Sequence, residues 1–150
     1  MVIQIDSREK SRAIKKIIAE FDRQGVKHYT SKLWAGDYMS LDNPRVIVDR
    51  KQNLTELCSN VCQDHDRFRR ELIRAQENGI QLIILCENGN GVESLEDVIF
   101  WKNPRKKECN VAMEGETLYK ILSTQERKYG VRFEFCDKDH TGKRILELLT

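Results

Sequence analysis

Proline is nearly absent, two in 150 residues, and glycine is held to eight. That scarcity excludes a collagen-like chain, a proline-rich spacer and a low-complexity tail. No apolar run approaches the ~20 residues that cross a bilayer. The longest, Ile80 to Cys86, is far too short, so no membrane partner is expected. The opening Met1-Val-Ile-Gln-Ile-Asp6 has no basic segment followed by an apolar one, and no secretory signal is read there. An excess of one charge is missing too: 26 basic against 24 acidic side chains leave +2. Only the distribution of charge, and not its total, can speak about nucleic acid.

The chain is rich in what a soluble fold needs, 39% apolar and 33% charged residues. A chain of this length predicts one domain over residues 1–150 that folds without metal or disulfide staples. Five cysteines, an odd number, then predict reduced thiols in a cytoplasmic protein. Cys58, Cys62 and His65 share a helical face, but they lack a fourth ligand nearby and are read as ordinary helix residues. His28, His65 and His140 are scattered, and none is assigned as a ligand.

Periodicity sets out the elements. Val2 to Ile5 reads as a strand, and Ile14, Ile17, Ile18 and Phe21 form the apolar stripe of a helix stopped by Gly25. Short β pieces follow, one over 27–34 and one over 45–48, with Asn43-Pro44 as the turn between. Residues 54–78 are helical in pattern, with room for a break near Gln63-Asp64. Gln81 to Cys86 is the best central strand. Residues 101–111 read as irregular, 116–128 as a helix, and 131–135 as a half-buried strand. Asp137, Lys138 and Asp139 then cap a last helix that uses Ile145, Leu146 and Leu149. Strands alternate with helices, but not strictly, which favours an α/β fold with a mixed central sheet flanked by helices.

Two polar clusters sit at predicted strand ends. Asp49-Arg50-Lys51 closes the apolar run Val46-Ile-Val48, and Asp37 follows Gly36 shortly before it. Alternation places Asp49 and Lys51 on one side of the strand and Arg50 on the other. Paired carboxylates are hard oxygen donors suited to Mg²⁺ or Mn²⁺, and a neighbouring ammonium can hold a phosphate oxygen or orient a water. A solvated edge strand closed by a charged turn would look the same. Asp6-Ser-Arg-Glu9 ends the first strand, where ligands gather in open α/β sheets, though Asp6 or Ser7 could equally cap the following helix.

Taken in order, Asp6-Ser-Arg-Glu9, Gly36-Asp37-Tyr38 and Val46-Ile-Val-Asp49-Arg50-Lys51 resemble the nuclease domain of the XPF family of structure-specific endonucleases. Asp6, Arg8 and Glu9 match its first motif, Gly36 and Asp37 its glycine-aspartate pair, and Asp49, Arg50 and Lys51 its Glu-Arg-Lys triplet. Asp49 departs from the family's glutamate, shortening the reach by one methylene; the wider PD-(D/E)xK superfamily accepts either. The helix-hairpin-helix module that often follows this domain has no room in the sequence. The resemblance implies a restriction-endonuclease-like three-layer fold and metal-dependent hydrolysis of DNA, on branched or flap substrates. It implies Mg²⁺ or Mn²⁺ at Asp37 and Asp49, with Asp6 as a further ligand or an orienting group. Lys51 would act on the attacking water, while Arg8, Glu9 and Arg50 organise the site or contact phosphate.

Local basic concentrations give the DNA surface expected with that resemblance. Arg67 and Arg70 lie among the arginines of one helix. Lys102, Arg105, Lys106 and Lys107 crowd a loop beside Trp101, an aromatic suited to stacking on an opened base. The family also pairs its nuclease domains, as homodimers or with a nuclease-like partner. Leu146, Leu148 and Leu149, which cannot all face one core, are the expected pairing surface. Two other readings stand beside the enzyme: a DNA-binding subunit that does not cleave, and a protein-binding adaptor using the 131–135 edge or the last helix.

Overall fold

The computed structural model describes all 150 residues. The strands are β1 (Val2–Ile5), β2 (Lys27–Thr30), β3 (Tyr38–Ser40), β4 (Asn43–Lys51), β5 (Gln81–Glu87) and β6 (Arg132–Cys136). The helices are α1 (Lys15–Arg23), α2 (Leu54–Cys62), α3 (His65–Glu77), α4 (Gly115–Tyr129) and α5 (Thr141–Leu149). Two 3₁₀ turns follow β5, Leu95–Phe100 ahead of the stretch expected to be irregular and Pro104–Lys107 within it. The strands form one mixed sheet in the order β2-β1-β3-β4-β5-β6, with β3 antiparallel to both of its neighbours and the remaining pairs parallel.

Alternation along the strands divides the core in two. Ile47, Leu82, Ile84, Cys86, Phe133 and Phe135 face α2, α3 and α4. Ile3, Ile5, Tyr38, Val48, Ile83 and Leu85 face α1 and α5. This is the helix–sheet–helix layering that the sequence predicted, with a mixed sheet consistent with restriction-endonuclease-like architecture.

Three local departures have physical causes. β2 is shorter than expected, because the amide of Ser31 still reaches the Ile5 carbonyl (2.9 Å) while that of Leu33 is taken by the Asp6 carboxylate (2.8 Å). β4 is longer, because its first residues fold back on β3 across a register shift between Met39 and Ser40 that accommodates Pro44. The last helix spends its leucines internally. Ile145, Leu146 and Leu149 are buried and Leu148 packs on the same core, so α5 does not offer the exposed apolar surface expected for pairing. Gly142 makes this possible, since a Cβ there would lie 2.8 Å from Glu20 Cβ on α1.

Gly36 sets the entry to β3. Its φ is +65°, and an added Cβ would stand 2.3 Å from Ile47 Cγ2 and 3.2 Å from the Val48 carbonyl oxygen. Gly36→Ala therefore combines backbone strain with a clash against the central strand, and is expected to cost about 2–4 kcal/mol. Urea denaturation checks this: the midpoint should fall markedly, with the slope unchanged.

Candidate active site

The strand ends build a pair of carboxylates. The Asp6 amide donates to the Asp37 carbonyl and the Asp37 amide to the Val48 carbonyl, both at 2.8 Å, so Asp37 is held between β1 and β4. One Asp37 carboxylate oxygen accepts the Arg50 amide at 2.8 Å. The Asp37 and Asp49 side chains lie within hydrogen-bonding reach of each other. Asp49 projects from β4 toward α2 and α3, with Lys51 Nζ 3.3 Å from its Oδ2. The Lys51 ammonium also lies 5.8 Å from the Phe68 ring centre on α3.

Burial and the charge of Asp49 push the Asp37 carboxyl up to about 9. Glu71 on α3 is raised for the same two reasons, burial first and Asp49 second. For Lys51, burial opposes the charged form, but Asp49, Glu71 and Glu56 outweigh it and the ammonium is held above its ordinary value. The site is thus a cluster of acids short of positive charge, with one lysine among them. No group of three or more His, Cys, Asp or Glu side chains stands in metal-binding geometry. The donor set still fits a hard divalent ion, since the Asp37 and Asp49 carboxylates lie together with only one lysine to offset their charge.

The other residues singled out from the sequence fall elsewhere. Arg50 points to the opposite face of β4, where its Nε donates to Glu9 (2.8 Å) and its Nη1 to Glu87 (2.5 Å). Tyr38 Oη also donates to Glu9 (2.7 Å), and Thr141 Oγ1 to Glu87 (2.6 Å). Glu9 and Arg50 therefore belong to a buried scaffold behind the acidic pair. Asp6 is fully buried, one oxygen accepting the Leu33 amide and the other the Arg8 amide and Nε. Arg8 itself remains largely exposed, and the charges of Asp37 and Glu71 reach it.

Glu71 was not singled out from the sequence as a site residue. The available signal was its place beside Phe68, Leu72 and Ala75, an acid on the buried stripe of α3. Trp34 was missed as well. It is 45% exposed in the loop before Gly36, with the Arg74 guanidinium 5.6 Å from its ring centre and Nη2 donating to its carbonyl (3.2 Å). Arg67 and Arg74 lie on the side of α3 that carries Glu71, whose acidity both affect; Arg70 is exposed nearby on the same helix.

The 101–107 loop differs from expectation. Trp101 is only 6% exposed, because α4 begins at Gly115 hard against the carbonyls of Val98, Ile99 and Trp101 and presses the indole into the core. It has no free face for a base; Phe100, 79% exposed, is the aromatic the loop presents. Lys106 is tied to Glu114 and to the Asn110 carbonyl, while Lys102, Arg105 and Lys107 are exposed.

The profile of the ERCC4 domain matches residues 5–148. The chain belongs to the ERCC4 domain family. It is homologous to the ERCC4 nuclease domain of the XPF family, as its three motifs implied, and membership supports a nuclease-related function in general terms. Its fold is that of XPF from Aeropyrum pernix, with a TM-score of 0.69, 21% identity, and 99% of this chain and 63% of that one covered. The structure of XPF from Aeropyrum pernix in complex with DNA gives a TM-score of 0.68 at 22% identity, covering 99% of this chain and 62% of that one. The chain therefore spans under two thirds of the length of these relatives. No curated protein matches the sequence.

The acidic pair makes stability depend on pH. Asp37 titrates near 9 in the folded state against an ordinary 3.8, so the native state holds a proton that the unfolded chain releases, and stability falls as pH rises across that window. Asp37→Asn can still accept the Arg50 amide and donate to Asp49. In chelator, its melting temperature should exceed that of the parent by at least ~3 °C at pH 8 and by much less at pH 5. Thermal melts at both values decide; an equal gap contradicts the shared proton.

Proposed function

We propose that the protein is a divalent-metal-dependent DNA endonuclease whose centre is Asp37, Asp49 and Lys51. The observation that carries this reading is the buried carboxylate pair, short of a counter-charge, beside a lysine kept cationic. Asp37 and Asp49 would hold Mg²⁺ or Mn²⁺, with Glu71 the next acid in reach. Such an ion supplies positive charge at the phosphoryl oxygen and favours deprotonation of the attacking water. Asp6, both of whose oxygens are engaged, orients the Arg8 side chain and the Leu33 loop instead of donating to the ion.

Lys51, with Asp49 and Glu71 sustaining its charge, holds a non-bridging oxygen of the scissile phosphate and orients the attacking water as negative charge grows. Arg8, Arg67 and Arg74 rim the acids and contact flanking phosphates. Trp34, backed by Arg74, offers a face on which an unpaired base can stack, the role first assigned to Trp101. DNA as the partner is supported by the DNA-bound relative of the same fold.

Asp49→Asn preserves shape and removes one charge. Cleavage of branched and linear DNA in Mn²⁺ should fall by at least about a hundredfold, reflecting the several kcal/mol of charge stabilisation at stake. Wild-type cleavage by a clean preparation of this variant overturns the assignment. Trp34→Ala should weaken binding to single-stranded and branched DNA by about 1–3 kcal/mol, with a smaller effect on intact duplex. Equal loss on every substrate would remove the stacking role.

A further inference from the structure

On the far side of β4 from the acidic pair lies a second polar feature that the proposed centre does not use. A recess of about 440 Å³ opens between the start of α1, the strand ends and the segment before α5. Arg12, Lys15, Lys16 and Lys138 line it, with the buried Arg50 guanidinium at its floor. Glu87 is its one acidic lining residue, and both Glu87 oxygens are already taken by Arg50 and Thr141. Lys16 is paired with the exposed Asp139, whereas Arg12, Lys15 and Lys138 make no ion pair. Only two of its nine lining residues, Ala13 and Ile17, are apolar.

An unbalanced set of cations around a concave floor is chemistry for an anion rather than for an apolar ligand or a protein helix. The Arg50 guanidinium at the floor is already engaged by Glu9 and Glu87, so the free positive charge is that of Arg12, Lys15 and Lys138 on the walls. Arg50 reaches the recess from β4, the strand whose next residues on either side, Asp49 and Lys51, turn into the opposite face. The recess and the acidic pair therefore flank the same end of β4 from its two faces. Lys138, read from the sequence as part of a helix cap, is one of its walls. Lys15 and Lys16 belong to a basic run from Lys10 to Lys16 that the modest net charge concealed.

We infer that this recess is a phosphate-binding site, taking backbone phosphates of the same DNA strand that the acidic pair acts on. The inference rests on the proposed function only in naming DNA as the source of the phosphate; a free polyphosphate would satisfy the same chemistry.

The test uses the whole chain with Arg12, Lys15 and Lys138 replaced by alanine, none of them part of the cleavage centre or of an ion pair. A circular dichroism melt within a few degrees of the parent establishes that it folds, and Lys15→Gln with Lys138→Gln provides a gentler second variant. Binding of a fluorescent single-stranded oligonucleotide is measured in EDTA across a salt series, so that the result does not depend on catalysis. Loss of three phosphate contacts should flatten the log–log salt slope by about 2–3 and weaken binding at least tenfold at ~0.1 M salt. Pyrophosphate is tested in parallel by thermal shift. If the variant loses pyrophosphate stabilisation but keeps DNA affinity and slope, the site is a phosphate site for a free anion and the assignment to the DNA strand is overturned. If neither DNA binding nor pyrophosphate stabilisation changes, the recess binds no phosphate. Should the parent fail to cleave any DNA while the variant still loses affinity, the recess stands and the nuclease reading falls.

Discussion

Behind the acidic pair runs a chain of five side chains, Tyr38–Glu9–Arg50–Glu87–Thr141, four of them buried and Glu9 nearly so, on which the geometry of the site depends. It joins the turn after β1 and the ends of β3, β4 and β5 to the start of α5. Burial works against the Arg50 charge, yet Glu9 and Glu87 on either side keep it well above its ordinary value. Removing one member would strand the others without partners, at a cost of about 3–5 kcal/mol for a broken buried ion pair. With Arg50 fixed on one face, strand alternation leaves Asp49 and Lys51 no choice but the other. The scaffold thereby aims the acids without touching them.

The acids, in turn, are held in an arrangement the fold does not favour in the absence of a counter-charge. Asp37 is pinned through its amide, its carbonyl and one carboxylate oxygen, so it cannot swing away from Asp49. Lys51 relieves part of the repulsion, but it pairs with Asp49 and leaves the Asp37 carboxyl raised by burial and by its neighbour's charge. This crowding of like charge is the feature from which the proposed metal site is read. The same strand end carries positive charge on both sides, in Arg8, Arg67 and Arg74 around the acids and in the lysine-rich recess behind them.

Much of this was legible in the sequence because it follows from short-range pattern. The strand ending in Asp49-Arg50-Lys51, the glycine before Asp37 and the apolar runs of β1 and β5 announce themselves by alternation, and the break between α2 and α3 lay at Gln63-Asp64 as marked. What could not be read was set by tertiary packing. That the Leu33 amide donates to Asp6 was not readable, and Trp101 looked free until α4 closed over it through Gly115. The leucines of α5 looked surplus because the close approach of α1, permitted by Gly142, has no sequence signature beyond one glycine. Glu71 and Trp34 lie on a helix face and in a loop whose positions only the folded sheet defines.

The claim on which the account turns is that Asp37 and Asp49 form a site where a divalent ion replaces a shared proton. Calorimetric titration of Mn²⁺ into the protein at pH 7, repeated in buffers of different ionisation enthalpy, measures both binding and proton release. The account predicts saturable binding accompanied by release of about one proton, the one Asp37 holds up to about 9, and loss of that binding in Asp49→Asn. Equal Mn²⁺ binding by the parent and Asp49→Asn, with no proton released by either, would contradict it.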